Sequence, residues 1–158
     1  MLWAGLRIGW IRGPQSVIDR TLHRQLAGDL GAAVPSQVFC LRLLPDLEAT
    51  AATRRAFLRD NVDRAAALLR DELPDWTFTP PAGASVLWVD TGLADSAPLV
   101  QVAHRHGVHI APGAITLPGQ VADGHLRLCV DRPWEIVEVG FRRLGAAWRE
   151  LTARQATG

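Results

Sequence analysis

The sequence predicts an α/β protein with a helical first half and a small sheet, covered by helices, in the second half. Up to Leu73 the apolar residues recur mostly at helical spacing, and after Pro74 short β-rich runs alternate with helical ones. A chain of 158 residues with 48% hydrophobic residues suits one globular domain, or a piece of one. We therefore expect a packed fold and no disordered or fibrous structure.

The first half is predicted to form one strand and three helices. Residues 6–12 alternate in polarity and stop at a Gly-Pro turn, which is typical of a strand. Helical spacing predicts a helix over 14–30, a continuous apolar run predicts a buried helix over 35–45, and a long helix follows over 47–73. A strand so close to the first residue needs neighbours, so we expect this sequence to be part of a longer one.

The second half is predicted to form a strand-helix-strand-strand-helix unit after one short strand. Two amphipathic helices should cover one face of its sheet. The predicted strands are 76–79, 85–90, 108–110 and 125–130, and the predicted helices are 98–106 and one that starts near Pro133 and ends near Thr152.

Charge and composition exclude several classes of function. The net charge is +1 and the charges are spread along the chain, so no basic surface for nucleic acid or for an anionic membrane is predicted. The apolar start of the chain lacks a basic segment and is interrupted by Arg7, which argues against a signal peptide or a membrane span. We therefore expect a cytoplasmic protein.

The residues usual in catalytic sites give little signal. Cys40 and Cys129 are too far apart for a zinc motif, and both are expected to be buried thiols. His104, His106 and His109 lie close in sequence, but their spacing does not converge on one helix face, so no metal site is predicted. Nucleophile-elbow, phosphate-loop and zinc-protease motifs are absent, and the sequence contains no lysine.

Two arginines stand out because each lies in the middle of an apolar strand pattern. Arg7 lies between Leu6 and Ile8, and Arg127 lies between Leu126 and Leu128. A guanidinium in such a place either points out to water or pairs with an anion, and its planar fork suits a phosphate or a carboxylate. The pattern alone leaves both readings open.

A resemblance to a known family gives these arginines roles. Residues 3–12 read W-A-G-L-R-I-G-W-I-R and resemble the stretch that follows the cofactor lysine in fold-type I, pyridoxal-phosphate-dependent aminotransferases of class I/II. Further similar segments follow in the family's order at 81–84, 107–113 and 125–128. The resemblance implies that Arg7 binds the cofactor phosphate and that Arg127 binds the substrate α-carboxylate. Both guanidinium groups should then face one cleft.

The resemblance implies an α/β fold that is the C-terminal part of a fold-type I domain. Its parts would be a large-domain remnant at 1–45, a connecting helix at 46–75, a small α+β domain at 76–152 and a tail at 153–158. The intact parent would be a homodimer that uses pyridoxal 5'-phosphate to exchange amino groups between an amino acid and a 2-oxo acid. The Schiff-base lysine would lie upstream of Met1, so we expect no catalytic residue and no activity in this chain alone.

Two other interpretations stay open. Trp3, four residues ahead of Arg7, resembles the MocR-type regulators, in which a GntR-class winged-helix domain precedes an aminotransferase-like domain. Such a protein would sense the cofactor or an amino acid and would contact DNA only through the missing N-terminal domain. The chain could also be an inactive truncated fragment. The loop after Pro112 and Gly113 departs from the family pattern, so the sequence does not predict the substrate.

Overall fold

The computed structural model describes residues 6–28, 31–117, 119 and 122–156. The chain divides into two compact units, Met1–Arg54 and Arg55–Gly158.

The first unit is helical, as the sequence predicts. Helix α1 spans Gln15–Gly28 and helix α2 spans Val34–Leu43. A short 3-10 turn, Leu44–Asp46, leads into helix α3, Leu47–Glu72, which continues into the second unit. Pro35 lies in the first turn of α2, where its missing N–H removes no helical hydrogen bond. The three helices predicted in this part of the chain are confirmed.

The strand predicted over 6–12 is wrong. Residues 7–14 form neither helix nor strand, and the backbone of Arg7 has a left-handed φ of 51°. A strand exists only where a neighbouring strand accepts and donates its backbone hydrogen bonds. The described residues of the first unit contain no strand, so the alternating pattern has nothing to pair with.

The prediction that the second helix is buried is also wrong. Helix α2 has no buried residue, and Val34 and Leu41 are 67% and 63% exposed. A continuous apolar run favours a helix covered on all sides, and a unit this small has too few residues to cover one. The cysteines likewise differ from expectation, since Cys40 is half-buried and Cys129 is exposed.

The second unit contains a four-stranded antiparallel sheet. Its strands are β1 (Thr77–Phe78), β2 (Val86–Asp90), β3 (Ala111–Pro112) and β4 (His125–Cys129), in the spatial order β1-β2-β4-β3.

Three of the four strand predictions are confirmed, and the one at 108–110 is wrong. The Val108 N–H donates to the carbonyl of Ala103, where it caps the preceding helix. Pairing with β4 therefore begins later, at Ala111, which lies opposite Arg127.

The core lies on one face of this sheet. Helix α3, helix α4 (Ala97–Arg105) and helix α5 (Trp134–Ala156) cover that face, so a third helix joins the two that the sequence predicts. Helix α5 also continues four residues past its predicted end near Thr152. None of the described helices is long and apolar enough to cross a membrane. The strand residues buried in the core are Leu87, Val89, Leu126 and Leu128.

Polar contacts fix the helices to the sheet and to each other. The buried Asn61 amide of α3 donates to the carbonyls of Val130 (2.7 Å) and Arg132 (2.8 Å), just after β4. The amide thus ties two residues that follow β4 to α3 and helps to fix where the chain leaves the sheet. At the far end of α3, Glu72 accepts hydrogen bonds from Arg142 and Arg149 of α5.

Glu150 of α5 holds the end of α4. Its carboxylate accepts from His106 Nε2 at 2.7 Å and from Arg105 Nη2 at 2.9 Å, and Arg154 lies 2.8 Å away. The His106 hydrogen bond, followed by that of Arg105, lowers the pKa of Glu150 to about 2. Because the folded pKa lies below its ordinary value of 4.5, the ionised carboxylate stabilises the fold above that value. This contribution is lost as the pH falls from about 4.5 to about 2.

We therefore expect Glu150→Gln to lower the melting temperature at pH 6, with a difference from the wild type that shrinks below pH 4.5 and vanishes near pH 2. Thermal unfolding of both proteins across this pH range measures it. A difference that does not change with pH would show that the charge of Glu150 has no part in stability.

Candidate functional site

The face of the sheet opposite the core carries the polar and charged side chains of β2 and β4. Side chains alternate along a strand, so burial of Leu126 and Leu128 places His125 and Arg127 on the other side. The same rule places Trp88 and Asp90 there from β2. We call this side of the sheet the open face.

The strand register sets the neighbours on the open face. Trp88 lies directly opposite Arg127, and Asp90 lies directly opposite His125. On its other side Arg127 faces Ala111 of β3, a side chain too small to cover a guanidinium. Arg127 therefore has an indole on one flank and open space on the other.

Arg127 is a half-buried cation with no counter-ion in the described part of the chain. Its side chain forms no hydrogen bond and no ion pair with any described residue. A guanidinium in this position presents its full set of donors to an incoming anion. The sequence left open whether Arg127 points out to water or pairs with an anion. The structure shows that it points away from the core and has no anionic partner among the described residues.

His125 and Trp88 form a stacked pair beside Arg127. Their ring centroids lie 5.1 Å apart and the ring planes are 17° from parallel. Asp123 holds the imidazole: His125 Nδ1 donates to its Oδ1 at 2.7 Å, and the His125 backbone N–H donates to its Oδ2 at 3.2 Å. The carboxylate thus fixes the orientation of the imidazole, and the imidazole supports the indole.

Buried hydroxyl groups hold the backbone that carries this pair. Thr91 Oγ1 donates to the carbonyl of Gly124 at 2.7 Å, and Ser96 Oγ donates to the carbonyl of His125 at 3.0 Å. A Cβ at Gly124 would overlap the carbonyl of Leu93, so only glycine fits there. Neither hydroxyl is predictable from the sequence, because a threonine and a serine in a loop carry no signal of a contact about 30 residues away.

Gly113 lets the preceding loop approach the stacked pair. A Cβ at this position would overlap the Asp123 carboxylate and come within 2.9 Å of Trp88 and of His125. The glycine begins the 3-10 turn Gly113–Thr116 and is buried. The Pro112-Gly113 pair, weak as a sequence motif, therefore packs directly against the open face.

An open depression of about 390 Å³ lies at the end of the open face next to the stacked pair. Asp90 contributes its carboxylate, one oxygen of which accepts the N–H of Gly92 at 2.9 Å. The depression is lined by Thr77, Phe78, Thr79, Trp88, Asp90 and His125.

A larger cavity in the first unit has a different character. It measures about 870 Å³ and is walled mostly by apolar side chains, and the described residues that line it include no carboxylate and no histidine. The described lining of this cavity therefore supplies neither a carboxylate nor an imidazole that could accept or donate a proton. The main apolar walls are Ile8, Trp10, Leu41, Leu44 and Leu47.

Arg7 lies in the first unit. It is exposed, its side chain has no hydrogen-bond partner among the described residues, and its φ of 51° is rare for a residue other than glycine. Backbone strain of this kind occurs often where a side chain must be aimed at a ligand. Arg7 and Arg127 belong to different units, so their expected shared cleft stays a prediction.

The three histidines that lie close together in sequence each contact a neighbouring side chain in the second unit. His104 and His109 meet edge to face with centroids 4.6 Å apart, whereas His106 bonds to Glu150. Among the described residues no three metal-ligating side chains come together. The local sequence pattern does not indicate Glu150 as the partner of His106, because the two residues are 44 positions apart.

The chain was compared with protein-family models and with curated protein sequences. A family model described as aminotransferase class I and II matches residues 1–144. No curated protein sequence matches significantly.

Solved structures match over most of the chain. The α-aminoadipate aminotransferase of Thermus thermophilus superimposes with a TM-score of 0.84 at 22% identity, covering 94% of this chain and 39% of that one. The kynurenine aminotransferase of Pyrococcus horikoshii gives 0.77 at 25% identity, covering 93% and 38%. A PLP-dependent aminotransferase of Streptococcus suis gives 0.75 at 22%, covering 92% and 38%. The chain thus spans about two fifths of these structures, and the predicted fold class is confirmed.

Gly113→Ala tests the packing of the loop on the open face. We expect it to lower the free energy of unfolding by about 1–3 kcal/mol, because the added methyl overlaps Asp123 and must displace the stacked rings. Urea unfolding measures this, and the indole N–H signal of Trp88 in NMR reports the displacement. Gly83→Ala is the matched control, since a Cβ there meets no atom within 4 Å. Equal effects of the two variants would show that Gly113 is not tightly packed.

Proposed function

The chain belongs to the class I and II aminotransferases, and we propose that it is the C-terminal portion of an enzyme that exchanges amino groups between an amino acid and a 2-oxo acid. The observation that carries this proposal is the unpartnered guanidinium of Arg127 on the open face. The chain is about two fifths as long as the matched aminotransferases, so the activity proposed is that of the intact parent.

Arg127 is proposed to bind the substrate α-carboxylate. Its fork can donate two parallel hydrogen bonds to the two carboxylate oxygens, which fixes the plane of the substrate as well as its position. Trp88 limits the site on one side, and Ala111 leaves the other side accessible. Arginine stays protonated in proteins, so Arg127 acts as a binding group and transfers no proton.

Arg7 is proposed to bind the phosphate of the cofactor. Matched structures described as PLP-bound or PLP-dependent support pyridoxal phosphate as the cofactor of the parent. When bound, this cofactor supplies the electron sink for the reaction. Arg7 fits the assignment because it is an exposed arginine whose side chain has no described partner. The chain contributes no lysine, so the family's catalytic amine has to come from other parts of the parent.

Fewer observations bear on the regulator alternative, the location and the oligomeric state of the parent. The matched proteins named above are enzymes, which favours the aminotransferase over a MocR-type regulator. Trp3, the residue behind the regulator resemblance, lies outside the described residues. A cytoplasmic homodimer remains our proposal for the parent.

The first test is carboxylate binding by the full chain. We expect Arg127→Gln to weaken the binding of pyruvate about tenfold or more, because two charge-assisted hydrogen bonds are lost. Titration followed by the NMR signals of Trp88 measures the affinity. Arg59→Gln removes the same charge from an exposed site on α3 and should leave the affinity unchanged. If both variants bind as the wild type does, Arg127 is not the carboxylate group.

The second test concerns the cofactor. With pyridoxal phosphate and borohydride, we expect no stoichiometric, site-specific adduct and no transamination, because arginine and histidine form no stable imine. Weak affinity for pyridoxal phosphate over pyridoxal should remain and should fall in Arg7→Gln. Mass mapping after reduction measures the first expectation. A single stoichiometric adduct together with turnover would show that this chain is an enzyme by itself.

A further inference from the structure

The depression at the end of the open face adjoins the proposed carboxylate site. Arg127 and His125 are two residues apart on β4, and Asp90 lies opposite His125. Two residues of a strand span about 7 Å, so the depression begins about that far from the row of Arg127. This spacing is comparable to the reach of an extended lysine or ornithine side chain.

The charge of the depression is negative. Asp90 provides a carboxylate, and only one of its oxygens has a hydrogen-bond partner among the described residues, the N–H of Gly92. His125, the basic group in the lining, is already paired with the carboxylate of Asp123. Among the residues that the structure describes, no arginine lines the depression. A cationic group would therefore be attracted here, and a second carboxylate would be repelled.

The walls also suit a cation. Trp88 lines the depression as part of its stacked pair with His125, and the loop at Gly113 holds the indole in place. Thr77, directly opposite Asp90, and Thr79 add hydroxyl oxygens that can accept hydrogen bonds from an ammonium group. A fixed ring, a carboxylate and two hydroxyls thus surround the same space.

We propose that this depression binds the cationic end of the substrate side chain, so that the amino-acid substrate is a diaminomonocarboxylic acid. The proposal rests on the function proposed above, in which Arg127 holds the α-carboxylate. The substrate then lies along β4 with its carboxylate at Arg127 and its distal ammonium between Asp90 and Trp88. A dicarboxylic amino acid would bring its second carboxylate against that of Asp90.

Three amino acids test this on the full chain without cofactor. L-Lysine carries the distal ammonium, L-norleucine has a similar carbon chain without it, and L-glutamate carries a second carboxylate. We expect lysine to bind about fivefold or more tightly than norleucine, and glutamate to bind most weakly. Dissociation constants come from the indole N–H signal of Trp88 in NMR, assigned with Trp88→Phe.

Two matched variants test whether Asp90 causes the preference for lysine over norleucine. Asp90→Asn keeps an oxygen that can accept the N–H of Gly92 and removes the charge, so lysine should bind only as well as norleucine while norleucine is unaffected. Asp95→Asn is the control, because Asp95 accepts the N–H of Ala97 two residues on in the same way and does not line the depression. It should leave all three affinities unchanged.

The outcomes separate this inference from the function beneath it. If lysine binds no better than norleucine, or keeps its advantage in Asp90→Asn, the inference is wrong. The carboxylate role still stands in that case, provided Arg127→Gln weakens all three ligands. If Arg127→Gln changes none of them, or if none binds the wild type, the carboxylate role fails and the inference fails with it.

Discussion

The structure of the second unit depends on the alternation of side chains along β4. Leu126 and Leu128 are fully buried in the core, and the residues between and beside them, His125 and Arg127, are thereby forced onto the open face. A shift of one residue in the pairing of β4 would exchange the two sets and bury a guanidinium among leucines. The hydrophobic core therefore fixes the position of Arg127, and every other feature of the candidate site is arranged around that strand.

The local sequence pattern was enough to predict the main elements of the second unit. The apolar stripe of α3 and the alternation of β4 are properties of consecutive residues, and both elements appear close to their predicted bounds. The sequence also marked Arg127 as unusual. It did not show that Asp123 and His125 pair, that Trp88 stacks on them, or that Gly113 closes on all three, because those contacts depend on register and loop path.

The errors share one physical origin. The alternating residues 6–12 suit a strand with neighbouring strands beside it. The continuous apolar run of α2 suits a helix that is covered on all sides. Neither set of surroundings occurs among the described residues of the first unit, so the same residues form an irregular segment and an exposed helix. An alternating or continuously apolar pattern indicates which neighbours a segment suits, and the structure follows the pattern only where those neighbours are present.

The two arginines consequently differ in how well they are prepared to bind. Arg127 is mounted on a central strand that is hydrogen-bonded to β2 on one side and to β3 on the other. A binding group on such a strand is held in place before its ligand arrives, so little ordering cost accompanies binding. Arg7 lies in a segment without regular structure. Its left-handed backbone conformation is unfavourable for a residue other than glycine. If Arg127 binds the substrate α-carboxylate and Arg7 the cofactor phosphate, as we propose, a paired strand already holds the carboxylate-binding group in place, whereas no regular element holds the phosphate-binding group.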